Sequence, residues 1–267
     1  MGVLGAGRGH TRGGKMSSQV AQVPSTMTVD RRRLDADTTD YDIRTYDCTG
    51  YGELSCATTP YFKSQSDNLN GQDAKTQMVV RTSAQMANMY KSISGGSVKN
   101  YRRSSSSIRW NANLNLDADN AYFWSNQIWF GDGYVADDVV AHEWGHGYTS
   151  YGPDYVYQYQ SGALNEAISD ILGEALDILN EEFDAEGDMN DRRNTRTCTV
   201  DYRLSSSGSE NSRKWIIGED CSATKNGVLG GIRDMYYPEC YGDPSTTGSE
   251  DYYCATDAED VFYERSD

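Results

Sequence analysis

The segment "AHEWGHGYTSYGPDYVYQYQSGALNEAISDILGEALD", residues 141–177, decides the fold of this chain. His142 and His146 are four residues apart, so a helix would place both imidazoles on one side. Such a pair suits Zn²⁺, and Glu143 between them can accept a proton from a water on the metal. On its own, the pattern leaves a solvated helix face open as the alternative.

A catalytic zinc site usually has three protein ligands, so a further ligand must come from elsewhere in the chain. The third histidine, His10, lies far upstream, and no histidine follows His146. Residues 162–180 predict a helix, because apolar residues recur there at helical spacing. Glu166 on this helix is the predicted ligand, and Asp170, one turn later, would accept the other N–H of a ligand histidine. A solvated acidic face is again the alternative.

That second helix has two contrasting faces. We expect the apolar face to lie in the core and the acidic stripe to lie on the other side. The apolar face comprises Leu164, Ala167, Ile168, Ile171, Leu172, Ala175, Leu176 and Leu179, and the acidic stripe comprises Glu166, Asp170, Glu174 and Asp177.

The net charge of the chain argues against some classes of binding partner. With 24 Lys and Arg against 40 Asp and Glu, the formal net charge is −16, which argues against nucleic acid and anionic membranes. Such acidity fits a soluble secreted protein, and some of the acids could bind Ca²⁺. No apolar run approaches the roughly 18 residues of a transmembrane helix. Residues 1–15 lack the apolar segment of a signal peptide.

Six cysteines lie in polar, loop-like sequence, and none forms a C-x-x-C pair. An even number in such places favours disulfides and an oxidising compartment, although the sequence alone does not fix their pairing. We favour the sequential pairing, and six reduced thiols in a cytosolic protein are the alternative. The favoured pairs are Cys48–Cys56, Cys198–Cys221 and Cys240–Cys254.

The order of the predicted elements indicates an α+β fold. Residues 1–135 read as a β-rich lobe with one long helix over about 73–94, and residues 113–133 as one or two strands closed by a Gly-Asp-Gly turn. Residues 136–180 form the predicted pair of zinc-binding helices. Residues 181–267 are polar and irregular and hold most of the cysteines.

With "HEWGH" at 142–146 and "NEAISD" at 165–170, the sequence resembles the thermolysin-like neutral metalloproteinases. The resemblance extends to "DNAYFWSNQIWFGDG" at 119–133, which is similar to that family's substrate-binding edge strand, and to "GIRDMYYPECYGDP" at 231–244. It implies a secreted, calcium-containing zinc endopeptidase of zincin type. Such a protein has a β-rich N-terminal lobe, central zinc-binding helices and a helical C-terminal lobe.

The resemblance also implies roles for individual residues. His142, His146 and Glu166 would bind zinc, with Glu143 as general base. Tyr157 would stabilise the oxyanion, although "SYGPDYVYQY" offers several tyrosines and the residues alone do not single it out. The implied supporting residues are Asp170 beside a ligand histidine, Asn120, Ala121 and Asn165 as contacts of the substrate, and Arg233 as the partner of a substrate carbonyl.

The sequence departs from the family pattern in its acidic residues. The acids that match the family's calcium ligands are Asp138, Asp177, Glu219 and Asp220. Lys214 and Ile216 stand where further acidic ligands would be expected, so we expect a weakened calcium site. The alternative is that these acids bind no cation.

A second departure lies after residue 244, where the family's Gly-Gly-x-His motif is missing. We therefore expect a truncated product that lacks most of the helical lobe, with residues 181–267 as the start of that lobe. We expect a monomer that acts on polypeptides and has little or no activity in this form. Two further readings stay open: a zinc-binding but catalytically dead module, and a zinc aminopeptidase.

Overall fold

The computed structural model describes the middle of the chain in most detail. The described residues are 38–51, 56, 61–65, 69, 71–104, 106–153, 155–157, 159–180, 214–222, 224–225, 228–229 and 231–246. They confirm a mixed α+β fold. None of the helices within these ranges has the length and apolar character that a membrane span requires.

Five strands form one sheet in the order β2-β1-β3-β5-β4. They are β1 (Asp42–Asp47), β2 (Tyr61–Gln65), β3 (Arg109–Leu116), β4 (Ala121–Trp124) and β5 (Gln127–Gly131). β3 runs parallel to both β1 and β5, whereas β2 and β4 pair antiparallel to their neighbours. β4 is therefore an edge strand. The segment predicted as one or two strands contributes to three, because the hairpin between β4 and β5 turns on two residues with positive φ, Ser125 and Asn126.

The first helix, α1 (Ala74–Ile93), confirms the helix predicted over about 73–94. Asp73 caps it by accepting the Thr76 N–H at 2.8 Å, and Gly95 and Gly96 follow its last turn with positive φ. Most of its residues are buried, so the helix fills the space behind the sheet. Ile93, at its last turn, is exposed.

Two helices carry the predicted metal motif: α2 (Asp137–Ser150) and α3 (Tyr159–Asn180). The prediction for the faces of α3 is wrong. Asp170, Glu174 and Asp177 are buried, whereas Leu164 and Ile171 are 45% and 54% exposed. The acidic side of α3 packs against α2, so contact between the two helices outweighs the tendency of the apolar side to face the core. Only part of the apolar face, Leu176 above all, is buried as expected.

Small elements follow in residues 214–246. They are the strands β6 (Ile216–Ile217), β7 (Thr224–Lys225), β8 (Val228–Leu229) and β9 (Arg233–Asp234), together with a 3-10 turn at Pro238–Tyr241. β6 and β9 pair antiparallel, so that Ile217 lies opposite Arg233. This pairing brings the distant Arg233 back towards α2 and α3.

Of the three predicted disulfides, Cys48–Cys56 is confirmed. The pairing of Cys221 with Cys198 is wrong, since Cys221 is a free thiol buried in the main core after the turn at Gly218. Cys240 is disulfide-bonded, whereas Cys198 and Cys254 lie outside the described residues.

Candidate active site

Helix α2 presents two imidazoles side by side. The ring centroids of His142 and His146 are 4.6 Å apart and their planes are nearly perpendicular, as expected for side chains one helical turn apart. α2 is central and mostly buried, packed between the sheet and the other helices. The histidines therefore sit on a rigid support.

Helix α3 supplies a carboxylate to the same point. Glu166 Oε2 lies 3.4 Å from His142 Nε2, and Glu166 Oε1 lies 3.2 Å from His146 Nε2. The three side chains offer ligand atoms that all fall within 4.8 Å of one another. Two imidazoles and one carboxylate form the donor set of a catalytic zinc site with an open position. Within the described part of the chain, no other group of three or more His, Cys, Asp and Glu side chains brings its ligand atoms this close together.

Glycines allow the two helices to approach this closely. A Cβ at Gly145 would lie 3.0 Å from the Cα of Ser169, and a Cβ at Gly173 would lie 2.6 Å from the backbone oxygen of Asp138. Both are closer than ordinary van der Waals contact. Small residues at this crossing are therefore needed to place Glu166 opposite the histidines.

His142 is held by Asp170. Its Nδ1 lies 2.8 Å from Asp170 Oδ1. Burial alone would lower the pKa of His142, but the hydrogen bonds to Asp170 and Glu166 outweigh it and raise the pKa to about 10 in the metal-free protein. A hydrogen bond at Nδ1 leaves Nε2 directed at Glu166, which is the orientation a metal ligand needs.

His146 is held by Asn165, which we predicted as a contact of the substrate. Asn165 Oδ1 lies 3.0 Å from His146 Nδ1 and also accepts the Thr149 hydroxyl at 2.7 Å, while Ser169 Oγ lies 3.2 Å from the same nitrogen. Asn165 also lines the cavity described below. The sequence carries one signal for this contact with His146, because Asn165 precedes Ser169 by one helical turn and both residues face α2.

Arg233 joins the cluster from β9. It donates to both oxygens of Asp170, at 2.7 Å and 3.1 Å, and its Nη2 lies 3.7 Å from Glu166 Oε2. Burial alone would lower the pKa of Arg233, but the carboxylates of Asp170 and Glu166 raise it above its usual value. Asp170 thus holds both His142 and the guanidinium. The double role of Asp170 is invisible in the sequence, since 63 residues separate Asp170 from Arg233.

Glu143 is 3% exposed, and its Oε2 has no hydrogen-bond partner among the described residues. Burial raises the pKa of this carboxyl, whereas the nearby His142 and His146 lower it, and burial dominates. A buried carboxylate with an unused oxygen beside the histidines has the chemistry of a general base.

Tyr157 lies at the open side of the cluster. It is 47% exposed, its hydroxyl donates to Glu166 Oε1, and its ring centroid lies 6.0 Å from that of His146. Burial and the adjacent Glu166 carboxylate raise the pKa of Tyr157, so the hydroxyl keeps its proton.

These groups open into one cavity of about 570 Å³, a size typical of small-molecule and peptide sites. Edge strand β4 forms one wall. There, Asn120 Oδ1 accepts the Ala121 N–H at 2.9 Å, and its backbone oxygen accepts the Gly131 N–H at 2.8 Å. The lining brings together most of the predicted site: Asn120, Ala121, His142, Glu143, His146, Tyr157, Asn165, Glu166 and Arg233.

The predicted calcium ligands lie elsewhere. Asp138, Asp177 and Glu219 are buried, whereas Asp220 is exposed. Asp138 accepts the Gly218 N–H and, at 2.7 Å, its neighbour's N–H at Val139. Burial, together with the charge of Asp137, raises the pKa of Asp138 to about 8.

The sequence matches the family described as "Thermolysin metallopeptidase, catalytic domain" over residues 7–150, which is more than half of the chain. The chain belongs to this family. A second match, to "Thermolysin metallopeptidase, alpha-helical domain", covers residues 153–265 of the thermolysin-like chain. The resemblance drawn from the two motifs is thereby confirmed.

Individual relatives agree with the family. A zinc metalloproteinase of Renibacterium salmoninarum is 32% identical over 126 residues, 47% of this chain and 18% of that protein. A bacillolysin of Bacillus caldolyticus is 30% identical and a thermolysin of Alicyclobacillus acidocaldarius subsp. acidocaldarius is 29% identical. Each of these two matches covers 61% of this chain and 26% of the relative. The chain thus spans about a quarter or less of these three relatives.

A solved structure, the precursor of protealysin, a metalloproteinase from Serratia proteamaculans, aligns with 51% of this chain and 43% of its own. The sequence identity is 20% and the TM-score is 0.43.

Proposed function

We propose that this thermolysin-like chain acts as a zinc-dependent endopeptidase. The observation that carries the proposal is the convergence of His142, His146 and Glu166 beside the buried carboxylate of Glu143. When bound there, zinc supplies Lewis-acid polarisation of a carbonyl and lowers the pKa of a water in its open position. All other steps fall to side chains of the chain itself.

Glu143 would take the proton of the attacking water and pass it to the amine that leaves. Burial supports this role, because it raises the basicity of the carboxylate. Tyr157, whose hydroxyl stays protonated, would donate a hydrogen bond to the oxygen of the scissile carbonyl as charge develops there. This requires Tyr157 to exchange its hydrogen bond with Glu166 for one with the substrate.

The substrate would bind as an added strand along the open edge of β4. Asn120 and Ala121 would contact its main chain, and Asn165 would do so while it also orients His146. Arg233, 17% exposed and fixed by Asp170, would donate to a substrate carbonyl.

Cleavage of a blocked peptide tests this proposal. We expect the zinc-loaded chain to cleave an N-acetylated, C-amidated peptide internally, at the low rate that the sequence predicts, and a chelator to stop the reaction. Glu143→Gln should lower kcat by about 10²–10⁴-fold, the usual contribution of a general base, yet retain zinc. Cleavage that requires a free amino terminus would favour the aminopeptidase alternative, and equal activity of wild type and variant would overturn the role of Glu143.

The second candidate is a module that binds zinc without turnover. The matches cover 18–26% of the three relatives described above, so turnover by this chain is itself a proposal to be tested. Stoichiometric zinc binding together with no cleavage of any blocked peptide would decide for this candidate.

We also propose a calcium ion near Asp138 and Asp177. The raised pKa of Asp138 supports a cation there, because a nearby divalent ion would offset the cost of a buried carboxylate. Calcium should raise the melting temperature of the wild type, and this increase should be lost in Asp138→Asn.

We propose an extracellular location as well, and the Cys48–Cys56 disulfide supports it.

A further inference from the structure

The cavity wall contains a carboxylate that the zinc chemistry does not use. Asp119 precedes β4, lines the cavity and is exposed. Glu143 and Glu166, by contrast, are committed to the proposed zinc chemistry. Resting on the proposed peptidase function, we propose that Asp119 gives the site a preference for substrates that carry a lysine or arginine side chain.

Asp119 is oriented rather than loose. The hydroxyl of Tyr134, another cavity-lining residue, donates to Asp119 Oδ1 at 2.8 Å. The two residues lie on neighbouring loops. A backbone hydrogen bond from the Gly131 N–H to the Asn120 oxygen joins the chain segments next to them. One carboxylate oxygen is thereby fixed, and the other is left to accept from a ligand.

Asp119 also has no cation of its own within the described ranges. Among the described residues that line the cavity, the one cationic side chain besides the histidines is Arg233, and Asp170 engages it through both carboxylate oxygens. A cationic substrate side chain would therefore be the first partner for Asp119. The overall charge of −16 adds a field that concentrates cationic substrates near the cleft.

Matched peptides measure this preference. We would scan blocked peptides in which one position at a time, on either side of a fixed scissile bond, is Lys, norleucine or Glu. At one position the wild type should prefer Lys, and Asp119→Asn should lower the Lys-to-norleucine ratio of kcat/KM about two- to five-fold. That change corresponds to about 0.4–1 kcal/mol at 1.4 kcal/mol per tenfold, the range of exposed ion pairs. The preference should shrink as salt is raised.

Asp117→Asn is the matched control. Asp117 is exposed on the same loop, outside the cavity, and the substitution removes the same charge. It should leave the ratio unchanged. The proposal is overturned by a wild type without a Lys preference at any position, by an unchanged ratio in Asp119→Asn, or by an equal loss in Asp117→Asn.

Failure of the peptidase function can be told apart from failure of this inference. If the zinc-loaded wild type cleaves no blocked peptide, binding of the same fluorescent peptides to the full chain gives the corresponding ratio of Kd values. A Lys preference in binding that falls in Asp119→Asn supports the role of Asp119 without catalysis. A binding ratio that Asp119→Asn leaves unchanged overturns it.

Discussion

Replacing Asp170 with Asn should weaken both zinc binding and folding. Asp170 is 6% exposed and accepts from His142 Nδ1 at 2.8 Å and from Arg233 at 2.7 Å and 3.1 Å. An amide has one acceptor oxygen in place of two and presents N–H groups to two donors. Because loss of the group that orients a ligand histidine typically costs 10–100-fold in metal affinity, we expect a fall of about that size. Because Arg233 is left buried beside an uncharged partner, we also expect a loss of about 3–5 kcal/mol in stability.

Two assays separate these effects. Competition with a chromogenic chelator gives the zinc affinity, and chemical unfolding of the metal-free protein gives the stability. The double variant Asp170→Asn/Arg233→Met removes the guanidinium that has lost its Asp170 partner, so it should regain part of the stability while zinc affinity stays low. Zinc affinity within twofold of wild type in Asp170→Asn, or no recovery in the double variant, would refute the reasoning.

Three further predictions use the same structure. Between about pH 5 and 8 the metal-free protein should lose stability as pH rises. The folded-state pKa values of Asp138 (about 8) and His142 (about 10) lie above their ordinary values of 3.8 and 6.5. The stability that each group contributes is therefore largest at low pH and is lost as the pH rises towards the folded-state pKa. A melting temperature that rises with pH over this range would contradict the prediction. Gly145→Ala should lower stability by about 1–3 kcal/mol in chemical unfolding, since its Cβ would press on the backbone of Ser169, and a gain would show that the helices separate freely. Asn165→Ala should reduce zinc affinity about 10–100-fold in the chelator assay, whereas unchanged affinity with a raised KM would assign Asn165 to the substrate alone.

The three candidate metal ligands could be proposed from sequence because much of their geometry is local. Helical spacing fixes the relation of His142 to His146, and the same rule places Asp170 one turn beyond Glu166. The structure adds the contact between the two helices, which brings Glu166 to the histidines. The close approach at Gly145 makes that contact possible, and the glycine in the sequence does not say which residue it faces.

Features set by distant parts of the chain could not be predicted. The apolar side of α3 looked like a core face, yet Leu164 and Ile171 are exposed, because burial of the acidic side against α2 decides the orientation of the helix. The pairing of Arg233 with Asp170 depends on β6 and β9. The pairing of Cys221 failed for the same reason, since six cysteines fit many connectivities and the fold buries this one in the core.

The most direct test of the central claim is the location of the metal. Zinc-edge anomalous diffraction or X-ray absorption on the full, zinc-loaded chain measures which atoms hold it. We predict one zinc ion per chain, about 2.0–2.2 Å from the Nε2 atoms of His142 and His146 and from a Glu166 oxygen. A protein that takes up no stoichiometric zinc, or a zinc ion held by cysteine sulfur or by acids away from α2 and α3, would contradict the account.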